Sequence, residues 1–517
     1  MNVGYAIRRS CENFPDHIAM ICGDERLTFT EVNLRANRFV NGLFDLGLKK
    51  GDRVGVLLKN CKEALEAILA LDKGGLVRVP INVRLSPPEI AFILKDSGAS
   101  SLIFSDDAIG AVEAVKNSLP NLSTLVSIGR GEGYTDYQQV LESGSSHEPR
   151  VTVNDEDLSF IPYTSGTTGN PKGAMMTHKR YLTFIAKMLM EPISVADPGD
   201  ICLHIAPLTA ASNTLVLPNF LKGAANAVAV SPDPAVIFET IEKIRATTTL
   251  VVPTLLNILL SHPAIDRYDL SSLKRVFYGS APMPQALIAK ALARFGPIFT
   301  QFYGMAEALP GSFLFSWEHK LEGTPKEMRR MSSAGRPGYM ADVRIANDKG
   351  EDVQPGEIGE IIHKGDHVFN GYWQNPEATR EAFTDGWFHS GDMATFDEDG
   401  YIYFMDRKKD MIISGGYNIW PSEVENVLYQ HPAVHEAAVV AVPDEKWGET
   451  VRAVVVIKPE RRVTSEEIIA FCKSRLASFK APKGVDFVSE LPKNPAGKIL
   501  RKEVREPYWK DQARRVH

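Results

Sequence analysis

Residues 163–173 read Tyr-Thr-Ser-Gly-Thr-Thr-Gly-Asn-Pro-Lys-Gly. Gly166, Gly169 and Gly173 let the backbone turn its N–H groups toward an anion. Thr164, Ser165, Thr167 and Thr168 add hydroxyls, and Lys172 supplies a point charge. Those parts make a polyphosphate site and point to ATP. The P-loop of kinase-like NTPases places glycine immediately before its lysine and serine or threonine immediately after. Here those positions are Pro171 and Gly173, and proline has no N–H to offer a phosphate. Apolar residues 158–162 precede the loop and the strand-like run 174–176 follows it, so a hairpin is expected rather than a helix start. Taken alone, the stretch also reads as a flexible Ser/Thr/Gly linker, and other segments must decide.

The elements that would position such a loop are legible further along the chain. At 517 residues it exceeds what one hydrophobic core supports, so two or more domains are expected. Between residues 27 and 260, helical patterns (29–48 and 63–75) alternate with short apolar runs (53–58, 101–104 and 248–252), which predicts α/β layers. Residues 334–405 change to short β-type runs at 343–345, 358–363 and 401–405 between Gly, Pro, Asp and Asn clusters, predicting a small β-rich subdomain. Beyond residue 409 a helix enters through Pro421-Ser422-Glu423 with Val424, Val427 and Leu428 on one face. Strands follow at 439–442 and 451–457, then a helix opened by the capping box Thr464-Ser-Glu-Glu467. The charged cluster Asp406-Arg-Lys-Lys-Asp410 at the junction reads equally as a solvated linker or as a hinge that brings Ser414-Gly415-Gly416 into a cleft. The expected fold is α/β: an N-terminal domain over 1–405 that contains the β-rich subdomain 334–405, a hinge at 406–409, and a smaller mobile α+β C-terminal domain over 410–517.

Composition excludes several classes. Lys plus Arg number 58 against 64 Asp plus Glu, a formal charge of −6, so there is no electrostatic footprint for nucleic acid. Cys11, Cys22, Cys61, Cys202 and Cys472 form no C-x-x-C pair, which indicates neither a disulfide framework nor a zinc site and fits a reducing compartment. No apolar run reaches the roughly 20 residues of a membrane span, and neither terminus carries a recognisable address. A cytoplasmic location is expected, and oligomeric state is not legible.

The loop at 163–173 resembles the phosphate loop of the adenylate-forming superfamily, which contains acyl-CoA synthetases, peptide-synthetase adenylation domains and beetle luciferases. Further signatures of that superfamily follow in order: 278–282 (Tyr-Gly-Ser-Ala-Pro), 301–307 (Gln-Phe-Tyr-Gly-Met-Ala-Glu), 387–392 (Trp-Phe-His-Ser-Gly-Asp), 406–410, 415–418 (Gly-Gly-Tyr-Asn) and 492–498 (Pro-Lys-Asn-Pro-Ala-Gly-Lys). The resemblance implies an acid:CoA ligase that turns a carboxylate and ATP into acyl-AMP and pyrophosphate, then lets coenzyme A displace AMP. It implies that Lys498 bridges carboxylate and α-phosphate oxygens, and that Glu307 is linked to Mg2+. Asp392 and Arg407 would hold the ribose, and Tyr303 and Gly304 would face the adenine opposite Gly279, Ser280 and Ala281. Lys409 would be the pivot, with Gly415 and Gly416 lining a tunnel for pantetheine.

The chain also departs from its relatives. Ala306 stands where many carry a threonine that contacts the adenylate phosphate. Ala210, after Thr209, stands where a histidine is common, and Gly304 where acetate-specific relatives place tryptophan. An acyl pocket built from Thr209, Ala210, Gly279, Gly304 and Ala306 would admit a medium-chain, branched, alicyclic or aromatic acid larger than acetate. The runner-up is a stand-alone adenylating enzyme that passes its acyl group to a carrier protein or other acceptor.

Overall fold

The computed structural model describes residues 1–129, 131, 133–164, 171–281, 283–493 and 499–510. Two large sheets lie on either side of a helix that is buried all round. The first has seven strands, in the order Met176–Thr177, Leu158–Phe160, Val77–Pro80, Arg53–Leu57, Ser101–Ser105, Thr124–Ile128 and Thr135–Asp136. All its pairs are parallel except the one between Met176–Thr177 and Leu158–Phe160. The second has nine strands. Its centre, Phe299–Met305, Arg275–Tyr278, Thr248–Val251, Ile201–His204, Ala225–Val228 and Ile18–Cys22, is parallel, and antiparallel strands close both edges.

The enclosed helix is Lys62–Gly74, whose Ala-Leu-Glu-Ala-Ile-Leu-Ala-Leu run has no polar side. Every residue from Ala64 to Gly74 is buried, as expected for a helix apolar around its circumference. Its buried charges meet polar groups of other elements: Glu66 accepts from Arg35 and from the Tyr137 hydroxyl, Lys73 pairs with Glu148 at 2.9 Å, and one Asp72 oxygen accepts from the Ser159 hydroxyl. Gly75, at φ 64°, ends the helix in the left-handed conformation that glycine adopts at no steric cost. Against it packs Phe29–Asp45, opened by a Thr28–Glu31 capping box and burying Phe29, Val32, Phe39, Val40 and Leu43, each side chain contributing about 1.5–3 kcal/mol.

The run expected at 174–176 is a strand only over Met176–Thr177, and a helix, His178–Met190, begins directly after it. Thr177 caps that helix through its hydroxyl, a signal that the strand-like reading of the apolar residues obscured. The expected hairpin is present where it can be followed: Tyr163–Thr164 pairs with Lys172–Gly173, Thr164 opposite Lys172.

A five-stranded antiparallel sheet occupies Asp342–Ala346, Gly359–Lys364, Trp387–Phe396, Phe383–Thr384 and Ile402–Arg407. A separate five-stranded sheet, Tyr417–Ile419, Ile412–Ser414, Gly448–Ile457, Val434–Asp444 and Gly484–Phe487, carries the helices Pro421–Leu428 and Ser465–Lys473. The Thr464–Glu467 capping box is formed. Between the two sheets run Asp406 and Arg407, still in strand, and the single turn Lys408–Asp410.

Candidate active site

A cavity of about 650 Å³ opens where the nine-stranded sheet, the antiparallel subdomain and the C-terminal unit meet. Gly279, Ser280 and Ala281 form one wall, and Tyr303 and Gly304 form another. Asp392 and Arg407 line it from the subdomain, and Ser422, Asn426, Tyr429 and Gln430 close it from the C-terminal helix. The neighbouring strands explain the two glycines. A Cβ at Gly279 would lie 2.5 Å from the Phe302 carbonyl oxygen, and one at Gly304 would lie 2.8 Å from Pro310 Cα and 3.0 Å from the Ala308 carbonyl oxygen. Gly304 is therefore demanded by the turn onto the strand Ala308–Leu314, and its missing side chain is not simply depth left for an acyl group. Ser280 holds φ 65°, a strained conformation for a residue with a Cβ and one that clusters at functional sites.

Tyr303, Asp392 and Arg407 converge. The Tyr303 hydroxyl donates to Asp392 Oδ2 at 2.8 Å, and Arg407 Nε lies 3.3 Å from Asp392 Oδ1. Burial, with the Asp392 carboxylate beside it, raises the Tyr303 phenol well above its usual range, so it stays a donor. Strand register sets the pair, since Asp392 and Arg407 are direct partners across adjacent strands. Glu360 fixes the approach by accepting from the Gly391 amide at 2.8 Å. Behind Tyr303 stands the buried His363, ring centroids 6.1 Å apart and planes 22° from parallel.

A second group lies around Glu307. Its carboxylate accepts from Thr164 Oγ1 at 3.1 Å and from the Tyr372 hydroxyl at 3.2 Å, while Lys172 Nζ sits 5.0 Å from the Tyr372 ring centre. Glu307 is 8% exposed and has no ion pair among the described residues. Desolvation raises its pKa. A buried carboxylate whose side-chain donors among the described residues are the neutral hydroxyls of Thr164 and Tyr372, with the Arg407 charge acting from further off, suits a bound cation. No cluster of three or more His, Cys, Asp or Glu able to hold a metal occurs among the described residues, so Glu307 would be one ligand of a magnesium ion otherwise held by phosphate oxygens and water. Lys172 also lines a smaller adjoining cavity of about 320 Å³ with Asp96, Trp373 and Asn375.

Ser165, Gly166, Thr167, Thr168, Gly169 and Lys498 lie outside the described residues. Thr209, Ala210 and Ala306 are partly exposed but do not line the main cavity. Gly415 and Gly416 stand apart from it, at the tip of the hairpin Ile412–Ser414 and Tyr417–Ile419, with φ 58° and 83°. Trp447, 45% exposed, packs beneath Gly415, and Tyr417, 58% exposed, stacks on Phe479. A Cβ at Gly416 would meet nothing within 4 Å.

Lys409 lies near Arg407, Arg505 and Asp392, and burial lowers its pKa. Beside it Arg501 gathers the junction: it donates to Asp406 at 2.7 Å and to Glu425 at 2.5 and 3.1 Å, and reaches Asp410 at 3.9 Å. The Ser422 amide donates to Asp406 at 3.0 Å. Sequence reasoning missed Arg501, Tyr372, Glu360 and the polar face of Pro421–Leu428. Tyr372 stands in the aromatic and glycine-containing run 370–373, a signal that was present but unused.

Comparison with known proteins places this geometry. The family described as AMP-binding enzyme matches residues 7–373, and its C-terminal domain matches residues 423–498. The chain belongs to the AMP-binding enzyme family. It is 41% identical over 493 residues to a feruloyl-CoA synthase of an Amycolatopsis species, covering 95% of this chain and 96% of that one. It is 36% identical over 509 residues to the long-chain-fatty-acid–CoA ligase FadD13 of Mycobacterium tuberculosis H37Rv, covering 98% of each. The anthranilate CoA ligase AuaEII, solved with anthranoyl-AMP, superimposes with a TM-score of 0.89 at 28% identity, over 98% of this chain and 97% of that one. The protein is an acyl-CoA synthetase, an AMP-forming acid–thiol ligase that uses ATP, Mg2+ and coenzyme A. None of its described helices is long and apolar enough to cross a membrane.

Proposed function

We propose that this ligase activates an acid larger than acetate, an arylpropenoic acid of the ferulate type being the first candidate and a fatty acid the second. A carboxylate oxygen attacks the α-phosphorus of ATP and pyrophosphate leaves. The thiol of coenzyme A then attacks the acyl carbon, losing its proton, and AMP leaves. Developing negative charge on phosphate is the main barrier to the first step, and Lys498 is the cation assigned to it. Asp392 and Arg407 hold the ribose while Tyr303 and the 279–281 wall flank the base. Glu307, Thr164 and Lys172 serve the phosphates and their metal. The convergence of Tyr303, Asp392 and Arg407 on one cavity carries this reading.

The C-terminal unit from residue 410 would turn about Lys409, so that the Gly415–Gly416 hairpin replaces Lys498 at the acyl carbon. Support comes from the separation of that hairpin from the cavity and from the open space over Gly416. All five cysteines are free, which favours the reducing cytoplasm. A panel of cinnamates, benzoates and C4 to C10 acids, scored for pyrophosphate release with and without coenzyme A, tests the assignment. Release with an arylpropenoate and production of its thioester are expected. Adenylation without any use of free coenzyme A would instead favour transfer to a carrier protein.

A further inference from the structure

Where the subdomain meets the C-terminal unit, one guanidinium serves three carboxylates. Arg501, in the helix Arg501–Arg505, forks onto Glu425 at 2.5 and 3.1 Å, while its Nη1 donates to Asp406 at 2.7 Å and lies 3.9 Å from Asp410. Arg501 and Glu425 are fixed to the C-terminal sheet: Val504 of the same helix packs with Ala438, Val440 and Val454, and Glu425 Oε1 accepts from the Val439 amide at 2.9 Å. Asp406 belongs to the other side of the Lys408–Asp410 turn, pairing with Met393 in the subdomain sheet. Its side chain is 1% exposed. Besides the amide of its neighbour Arg407, it accepts from two groups across the turn, Arg501 and the Ser422 amide.

A carboxylate so far from water is costly unless a counter-charge meets it. Here the balance is close: burial still raises the Asp406 pKa against the pull of Arg501, and Glu425 and Asp410 push it the same way. Without the guanidinium, three acidic side chains would face one another. The same junction sets one wall of the nucleotide cavity. Ser422, Asn426 and Gln430 are spaced four apart along the chain, which puts them on one face of the helix, and all three line the cavity that holds Tyr303 and Asp392. Ser422 is also tied to the subdomain, its hydroxyl donating to the Met405 carbonyl oxygen. Burying Asp406 and placing that wall are therefore one event.

We propose that Arg501 is a positioning residue for adenylation, the counter-charge that lets Asp406 be buried and so holds the C-terminal unit, with Ser422, Asn426 and Gln430, over the nucleotide. When the unit turns for thioester formation, Asp406 reaches water and no longer needs Arg501. The dependence on Arg501 is thus confined to one half-reaction. This inference rests on the turning cycle proposed above and names the charge that balances its two postures.

The test measures pyrophosphate release from ATP and the best acid of the panel above and, separately, thioester formation from supplied acyl-AMP and coenzyme A. Arg501→Met is expected to slow the first about tenfold or more, because it strands a buried carboxylate, and to leave the second near the wild-type rate. Adding Asp406→Asn removes the stranded charge and should recover most of that loss, which a merely structural arginine would not allow. Asp406→Asn alone should lower thioester formation relative to pyrophosphate release, since an uncharged side chain is buried at less cost. That variant answers the question even if Arg501→Met folds poorly. Equal loss of both half-reactions in Arg501→Met, without recovery, would reduce Arg501 to a brace for Glu425 and overturn the proposal. An unchanged rate of pyrophosphate release in Arg501→Met, or an unchanged ratio in Asp406→Asn, would overturn it too. Lys409→Pro, assayed alongside, tests the cycle itself. If it fails to part the two half-reactions, the turn is lost and the role of Arg501 with it, whereas a clean separation there beside no recovery here removes Arg501 alone.

Discussion

At the scale of single residues the site depends on Asp392, which organises a phenol and a guanidinium at once. Asp392→Asn keeps the shape but halves the acceptor capacity and removes the charge that faces Arg407. A charge-assisted bond is worth roughly 1.5–3 kcal/mol, so KM for ATP should rise by about tenfold or more, with a smaller change in KM for the acid. Steady-state kinetics with each substrate varied in turn decide this. An equal rise for both would point to general damage. Glu307, Asp392 and Tyr303 were legible in the sequence because each falls inside an ordered motif. Arg501 was not, since its importance arises from a contact with Asp406, 95 positions away, that no local pattern encodes; the run around Tyr372 marks a turn but not its contact with Glu307, 65 positions away.

Elements decide how far the residue pattern can be trusted. Alternating apolar runs and helical stretches gave the layers correctly, because burial on both sides of a parallel strand leaves a continuous apolar signature. Gly304 shows where that kind of reading stops. It was read as space for an acyl group, whereas its neighbours across the hairpin are backbone atoms at 2.8 and 3.0 Å. Gly304→Ala should force those strands apart and cost about 1–3 kcal/mol, lowering the melting temperature by roughly 2–6 °C. An unchanged melting temperature accompanied by a changed acid preference would restore the pocket reading. The strand-like run expected at 174–176 is an isolated bridge at Ala174 and a strand over Met176–Thr177, after which the Thr177 hydroxyl caps the helix that follows.

For the molecule as a whole, the proposed cycle places both chemistry and motion at the junction between its two parts. Lys498→Ala should abolish pyrophosphate release yet retain thioester formation from supplied acyl-AMP, and Lys409→Pro should do the reverse. Half-reaction assays check both, and parallel losses would contradict a two-posture cycle. Burial pushes the Asp406 carboxyl up to about 6 even though Arg501 opposes the shift. A raised carboxyl favours the arrangement that buries it, fully below the ordinary value of 3.8 and progressively less as pH rises through 6. If turning exposes Asp406, the rate of thioester formation relative to adenylation should climb between pH 5 and 7, and Asp406→Asn should flatten that climb. A pH-independent ratio in the parent enzyme would exclude Asp406 from the turning step.

The indole of Trp447 now stands half in water beneath the hairpin tip. If the proposed turn carries that tip into the cleft, the ring should enter a drier environment. Its emission should shift to the blue when coenzyme A joins the preformed adenylate, and Trp447→Phe should remove that part of the signal. Trp447 would then serve as a built-in optical gauge of the proposed turn, readable in stopped flow without any attached dye.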